Sequence, residues 1–353
     1  MRVAIDESPI ANKKHVKHRV RGVGYYVKNL KAELKNEFPK EEFFFFTDER
    51  SIPKNVNVIH YPYFEPFFLT LPYKKFAKRV VTVHDLTPLV FPEFFPSGLK
   101  GRIKWEIQKR ILEQSDRIIS DSEASKKDLI RFTNIREDVI DVIYLAVSQT
   151  FHKIKDTQYL TSVKKRYNLP DQFVLYVGDV TWNKNLPRLL HSIQQIHVPL
   201  VLAGKALIES VSDPMNPWNQ DLVTVQSIIK EDPLFIRLGF VPDEDLPALY
   251  NLASVFSMPS LYEGFGLPIL EAMACGCPVV TSKEGSIPEV VSDAAEFVDA
   301  YSSKDIARGM ISILHNQKKR TQLSSNGIAR AREFSWKKTA KQTFETYHKA
   351  SQS

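Results

Sequence analysis

The chain has 353 residues, enough for two domains of ordinary size with separate cores, and its 43% hydrophobic and 25% charged residues are those of a soluble globular protein. A formal charge of +7, from 48 Lys and Arg against 41 Asp and Glu, favours anionic partners without pointing to nucleic acid. No run approaches the roughly 18 apolar residues of a membrane span, Asp6 and Glu7 interrupt any apolar leader, and Cys275 and Cys277 read as small, buried, reduced thiols of a cytoplasmic protein.

Residues 2–5 read as a buried strand that delivers Asp6-Glu7-Ser8-Pro9 to the carboxyl edge of a sheet. A concentrated basic stretch follows, with Lys13, Lys14, His15, Lys17, His18, Arg19 and Arg21. Gly22-Val23-Gly24 then precede a helix over residues 25–34; glycines there either let the backbone approach a phosphate or form an ordinary flexible loop. Strands are expected at 42–47 and 56–60, followed by the aromatic, proline-punctuated segment 61–69, which either contacts lipid or a sugar ring or packs in a core. The strand at 79–83 presents His84 and Asp85 at its carboxyl end, where the imidazole can touch a sugar hydroxyl or satisfy a loop carbonyl.

A helix over 98–115 has Ile103, Ile107, Ile111 and Leu112 on one side and Lys100, Arg102, Lys104, Lys109 and Arg110 as polar cover. With Lys74, Lys75, Lys78 and Arg79, these charges suit an anionic lipid head group, a polyprenyl diphosphate or an anionic membrane surface if they share a face, and are solubilising charge if they do not. A strand at Arg117–Ser120, a helix at 126–132 and a strand at 139–144 close the first half.

A polar connector is expected over 146–171, then a strand at 173–177, a loop at 178–185 and a helix at Leu186–Ile196. Lys184, near that helix start, suits a diphosphate, though a plain surface lysine has the same look; Lys205 follows the next strand. Further on come Gly239-Phe240-Val241-Pro242, a helix at Leu246–Leu252 and a strand at Val255–Met258. Glu263-Gly264-Phe265-Gly266 forms a loop, Pro268 opens a helix through Ala274, Gly276 ends it and a β-branched strand follows. Free N–H groups at such a helix start suit a phosphate or a sugar hydroxyl. Glu271, expected in the first turn, can accept two hydroxyl hydrogen bonds from a diol such as ribose, and Glu263 can hold a second polyol; both are equally readable as solvated charges. Helices over 304–315, 318–334 and 336–349 complete the chain.

The run Glu263-Gly-Phe-Gly-Leu-Pro-Ile-Leu-Glu271 resembles the signature of the family 4 retaining glycosyltransferases. The likeness covers most of the chain and includes Val-Thr-Val-His84-Asp85, Tyr-Val-Gly178 with Asn183-Lys184-Asn185, and the Gly239-Phe-Val-Pro block. It implies a GT-B fold: α/β, two facing Rossmann-like domains with parallel sheets, residues 1–165 on the acceptor side, 166–335 for the nucleotide-sugar, and a terminal helix, 336–353, crossing back onto the first domain. By the same resemblance, Gly22 and Gly24 face the donor diphosphate and His84 lies against the hexose. Lys184 and Lys205 meet the diphosphate, with Asp179 and Asn183 standing where an arginine is expected. Phe240 and Val241 border the nucleobase. Glu263 orients the hexose beside the loop of Phe265, Gly266 and Leu267, and Glu271 anchors the ribose. Bacterial mannosyltransferases give the best likeness. The expected activity is retaining transfer of a hexose, GDP-mannose preferred, to a glycan or a polyprenyl- or lipid-linked acceptor in polysaccharide or lipopolysaccharide biosynthesis. No metal cofactor and no nucleic acid are expected, and the location is cytoplasmic or peripheral at the membrane. Open alternatives are a UDP-sugar donor, a same-fold sugar-nucleotide isomerase or hydrolase, and a noncatalytic glycan-binding protein.

Overall fold

Strand β1 (Arg2–Asp6), whose middle three residues are buried, starts a parallel sheet in the computed structural model, which describes residues 1–10, 22–211, 213–230 and 232–352. The chain continues through α1 (Gly22–Glu37), β2 (Glu42–Phe46), β3 (Val58–Tyr61), β4 (Lys78–Val83), α2 (Thr87–Val90), α3 (Gly98–Glu113), β5 (Arg117–Ser120), α4 (Glu123–Phe132) and β6 (Ile140–Val142). The strands lie in the order β2-β1-β3-β4-β5-β6, all parallel. β3 and β4 are buried on both faces, so neither alternates apolar with polar residues, and polar side chains within them, His60, Arg79 and Thr82, are buried with the rest.

Two expectations for this half change, and a third falls where the structure gives no description. The basic residues from Lys13 to Arg21 lie outside the described residues. Gly22 and Gly24 belong to the first turn of α1 and not to a loop before it, since Val27, Leu30 and Leu34 bury one face and the helix extends back from them. On α3, Ile111 and Leu112 are buried, but Ile103 and Ile107 are exposed together with Leu99.

Beyond β6 the polar stretch expected to be a connector contains α5 (Thr157–Arg166), capped by Asp156, whose side chain accepts the Tyr159 N–H. Next come β7 (Val174–Val177), α6 (Leu186–Ile196), β8 (Leu200–Ala203), α7 (Gln220–Ile229), β9 (Phe235–Gly239), α8 (Leu246–Leu252), β10 (Val255–Met258), α9 (Leu267–Ala274), β11 (Val279–Thr281), α10 (Ile287–Val291), β12 (Glu296–Phe297), α11 (Ser303–Leu314) and α12 (Gln317–Ala331). This sheet is also fully parallel, in the order β12-β11-β10-β7-β8-β9. From β7 the chain first adds strands on one side, then returns to place β10 on the other. The point of reversal, between β7 and β10, is where open α/β sheets bind ligands at the strand carboxyl ends.

Helix α13 (Trp336–Gln352) closes the chain, and the structure divides into one unit of Met1–Ala146 with Phe334–Ser353 and another of Val147–Glu333. The first boundary therefore falls well before residue 165. The reason is local: Tyr159, Arg166 and Tyr167 all bond the Asp245 carboxylate, which fastens α5 to the second unit. In the first unit α13 is held by a Phe344 ring stacked on Phe38, by Thr339 donating to the Tyr144 carbonyl at 2.7 Å, and by the Tyr347 hydroxyl 2.8 Å from His60 Nδ1. The other nitrogen of His60 lies 2.8 Å from the Thr82 hydroxyl. Burial drives the His60 pKa down to about 3, so the ring is neutral, with one donor and one acceptor for two adaptable hydroxyl partners.

Candidate active site

The reversal point of the second sheet is built from the loops that follow β7 and β10. Trp182–Lys184 makes a single tight turn, and Asn185 follows with a left-handed backbone, φ 60°, which asparagine tolerates better than most residues. The Leu261 N–H donates to the Asn183 carbonyl at 2.7 Å, and the Asn183 side chain donates to the Tyr262 carbonyl at 3.0 Å. Asn185 donates to Pro259 and Ala300 carbonyls at 2.9 and 2.7 Å. One backbone bond and the two asparagine side chains thus tie the two loops together. Asn183, at the place where an arginine is expected, is thus a buried fastener and supplies no charge.

Between the two asparagines, Lys184 is delivered onto Glu263, its Nζ 2.8 and 2.7 Å from the two carboxylate oxygens. The Glu263 side chain is nearly buried, so the pair sits in poorly screened surroundings. The Glu263 carbonyl accepts from the Ser286 N–H and hydroxyl at 3.2 and 3.0 Å. Gly285 makes this approach possible: its φ is +59°, and a Cβ there would stand 2.7 Å from the Glu263 carbonyl oxygen.

The remaining candidates of this unit are spread along the same carboxyl edge. Lys205, after β8, pairs with Glu209 at 3.1 Å on the half-exposed surface. After β9, Phe240 is exposed and Val241 fully buried. Phe265 is also buried. Gly266, at φ +93°, caps α9 so that the helix begins at Leu267, one residue ahead of Pro268. Glu271 is therefore its fifth residue, past the first turn, and is oriented by Tyr250 on α8, whose hydroxyl donates to Oε2 at 2.8 Å. Burial, reinforced by Glu271, raises the Tyr250 pKa well above its ordinary value and keeps the phenol a donor. Gly276, at φ +70°, ends α9 with its N–H on the Met273 carbonyl and that of Cys277 on Ala272, both at 2.9 Å. Cys275 and Cys277 are free and buried, and burial pushes the Cys277 thiol up to about 12, leaving it unreactive.

In the first unit the sheet register sets Val83 beside Ser120, so the next residues, His84 and Asp121, leave adjacent strand ends together. His84 Nδ1 lies 2.6 Å from Asp121 Oδ2, and Nε2 lies 3.1 Å from the Pro62 carbonyl. With Asp121 ionised both neighbours are acceptors, a setting that favours a proton on each ring nitrogen. Burial by itself lowers the His84 pKa, but the Asp121 carboxylate and the two hydrogen bonds outweigh it and the net shift is upward. Asp121, raised by burial, has its second oxygen, Oδ1, buried without a hydrogen-bond partner. Asp85 accepts the Thr87 N–H at 2.9 Å and braces the start of α2. Sequence motifs point to His84, Lys184, Glu263 and Glu271 and include Asn185 without a role, but they give no sign of what Asp121, Asn185 and Tyr250 do, which depends on strand register, loop pairing and helix packing.

Two parallel Rossmann-type sheets, one with a lysine–carboxylate pair at its reversal point and one with a histidine–carboxylate pair at its strand ends, define an α/β protein that handles polar ligands at strand carboxyl edges. Residues 161–330 match the family described as glycosyl transferases group 1, and residues 42–150 match glycosyltransferase family 4. The chain is 35% identical over 300 residues to O-antigen chain mannosyltransferase B of Escherichia coli, covering 81% of this chain and 74% of that one. It is 32% identical over 283 residues to the serotype-specific mannosyltransferase WbdA of Escherichia coli, covering 78% of this chain and 34% of that longer protein. Sucrose-phosphate synthase of Thermosynechococcus elongatus shares the fold, with a TM-score of 0.77 at 20% identity over 99% of this chain and 98% of that one. The chain belongs to family 4 of the glycosyltransferases, a family of retaining enzymes.

Proposed function

We propose that this protein transfers mannose from GDP-mannose, with retention, onto a glycan or a lipid-linked glycan during polysaccharide assembly. Two relatives that align with more than three quarters of the chain are named mannosyltransferases, one of them for an O-antigen chain. The observation that carries the chemistry is the two-point contact of Lys184 with Glu263 at the reversal point of the second sheet. An ammonium has three N–H groups, and two of them are taken up by the carboxylate. A hexose hydroxyl donating to Glu263 competes for those lone pairs and turns the lysine toward the diphosphate. As the bond from the anomeric carbon to the phosphate oxygen breaks, negative charge grows on the leaving group beside Lys184. The acceptor oxygen attacks from the same face, and its proton passes to the leaving phosphate. Glu271, held by Tyr250, receives the ribose hydroxyls, and His84 exchanges the Pro62 carbonyl for a sugar hydroxyl.

The test is a panel of GDP-mannose, UDP-glucose and UDP-N-acetylglucosamine offered with glycan and lipid-linked acceptors, the products being weighed by mass spectrometry. One added hexose from GDP-mannose alone is expected. Transfer only from a UDP-sugar overturns the donor, and donor consumption without any acceptor overturns transfer in favour of hydrolysis or isomerisation.

A further inference from the structure

Helix α3 leaves an apolar stripe uncovered. Leu99, Ile103 and Ile107 recur at every fourth position and are 76, 54 and 42% exposed, while one turn further on the same row enters the core at Ile111, beside Leu112. Over this span the stripe is roughly 12 Å long. A second apolar strip runs beside it, because the loop before β4 is fastened along the helix. The Thr70 and Leu71 N–H groups donate to the Gln108 side chain at 2.9 and 2.7 Å, and a Cβ on Gly101 would stand 3.5 Å from that of Phe67. The exposed members of this loop are Phe68, Leu69, Tyr73 and Phe76.

Cations accompany the strips. Lys104 lies over the Phe68 ring at 5.5 Å, and Lys100 stands one turn before it on the same side of α3. Altogether α3 carries five cations, Lys100, Arg102, Lys104, Lys109 and Arg110, against two carboxylates, Glu106 and Glu113, a surplus of three. Apolar side chains that could have been covered by the fold and are not, set among long basic ones, match an interface where hydrocarbon begins just below a negatively charged layer. Lysine stems lie along apolar surface while their heads reach the phosphates.

We propose that this face of the first unit, α3 with the loop before β4, docks on an anionic lipid bilayer. A second copy of the chain is a poorer occupant, because a twofold contact through this patch would set Lys100 and Lys104 of one copy against the same two lysines of the other. An acidic protein matches the charge but gives no reason for two parallel apolar strips facing outward. The inference does not need the transfer reaction, and its test uses neither donor nor acceptor, so its failure leaves the proposed activity untouched.

The full chain is sedimented with vesicles of phosphatidylcholine alone and of phosphatidylcholine with an equal part of phosphatidylglycerol. Binding to the anionic vesicles is expected to be at least about tenfold tighter than to the neutral ones, since each basic residue near such a surface contributes on the order of fivefold. Lys100→Glu/Lys104→Glu and Leu99→Ser/Ile103→Ser/Ile107→Ser should each weaken it about tenfold or more while melting temperature and circular dichroism stay unchanged. Equal binding to both vesicle types, binding unaffected in either variant, or a concentration-dependent dimer abolished by the serine variant with no vesicle binding overturns the proposal.

Discussion

Lys184 meets both oxygens of Glu263 where little water reaches, so truncating the lysine has two separable effects. Lys184→Ala removes the cation proposed to face the leaving phosphate and strands a nearly buried carboxylate. Turnover is expected to fall by about 10²–10³, and stability by about 3 kcal/mol. Adding Glu263→Ala should restore much of the stability and none of the turnover, as steady-state kinetics and urea unfolding of the three proteins would show. The His84–Asp121 contact makes a prediction in pH. His84 has a folded pKa above its unfolded value, so its contribution to stability is fully present below roughly 6.5 and is lost as pH rises through the folded value. The stability difference between the native protein and Asp121→Asn should therefore be largest on the acid side of neutrality, until Asp121 itself takes up a proton, and shrink toward alkaline pH. A difference independent of pH would show that the contact is not ionic. At this scale the candidate side chains were legible from local motifs, but their partners were not. Asp121 becomes a neighbour of His84 only through the β4–β5 register, and Tyr250 reaches Glu271 only through the packing of α8 against α9.

The two loops at the reversal point behave as one element because Asn183 and Asn185 bond across them. Asn185→Ala would leave two buried carbonyls without their donor and put alanine into a left-handed backbone. A loss of about 2–4 kcal/mol is expected, together with a rise in KM for the donor; denaturant unfolding with kinetics checks both, and an unchanged KM would separate the fastener from the site. Elements bounded by clear punctuation were readable as they stand, α6 after Asn185 and α8 before the β10 strand among them. Others were not, for physical reasons. Within α5 only Val163 is buried, so its sequence reads as polar connector, and the Asp245 network that holds it is 80 or so residues away, beyond local pattern. For α3 the periodicity marks which side chains share a side; it does not say whether anything covers them.

The chain passes from the first unit to the second and back again, so α13 completes a core begun at the other end of the sequence. Removing residues 334–353 takes away the Phe344–Phe38 stack and the partner of His60 Nδ1. The cost to the first unit should exceed the roughly 3–5 kcal/mol of losing one large aromatic, and limited proteolysis should digest that unit while a fragment spanning Val147–Glu333 survives. Equal resistance of both units would argue that α13 is dispensable. As a milder variant, Tyr347→Phe leaves His60 short of one partner and should lower stability by about 1–3 kcal/mol.

A translating ribosome emits Met1–Ala146 well before α13, yet that stretch cannot close over its own apolar face until α13 has left the exit tunnel. The middle of the polypeptide, with every strand of its own sheet already in hand, is able to finish before the beginning does. During that interval the early half is the portion exposed to chaperones and proteases, and slowing synthesis just ahead of the α13 codons should lower the yield of native enzyme more than slowing it within those of β1.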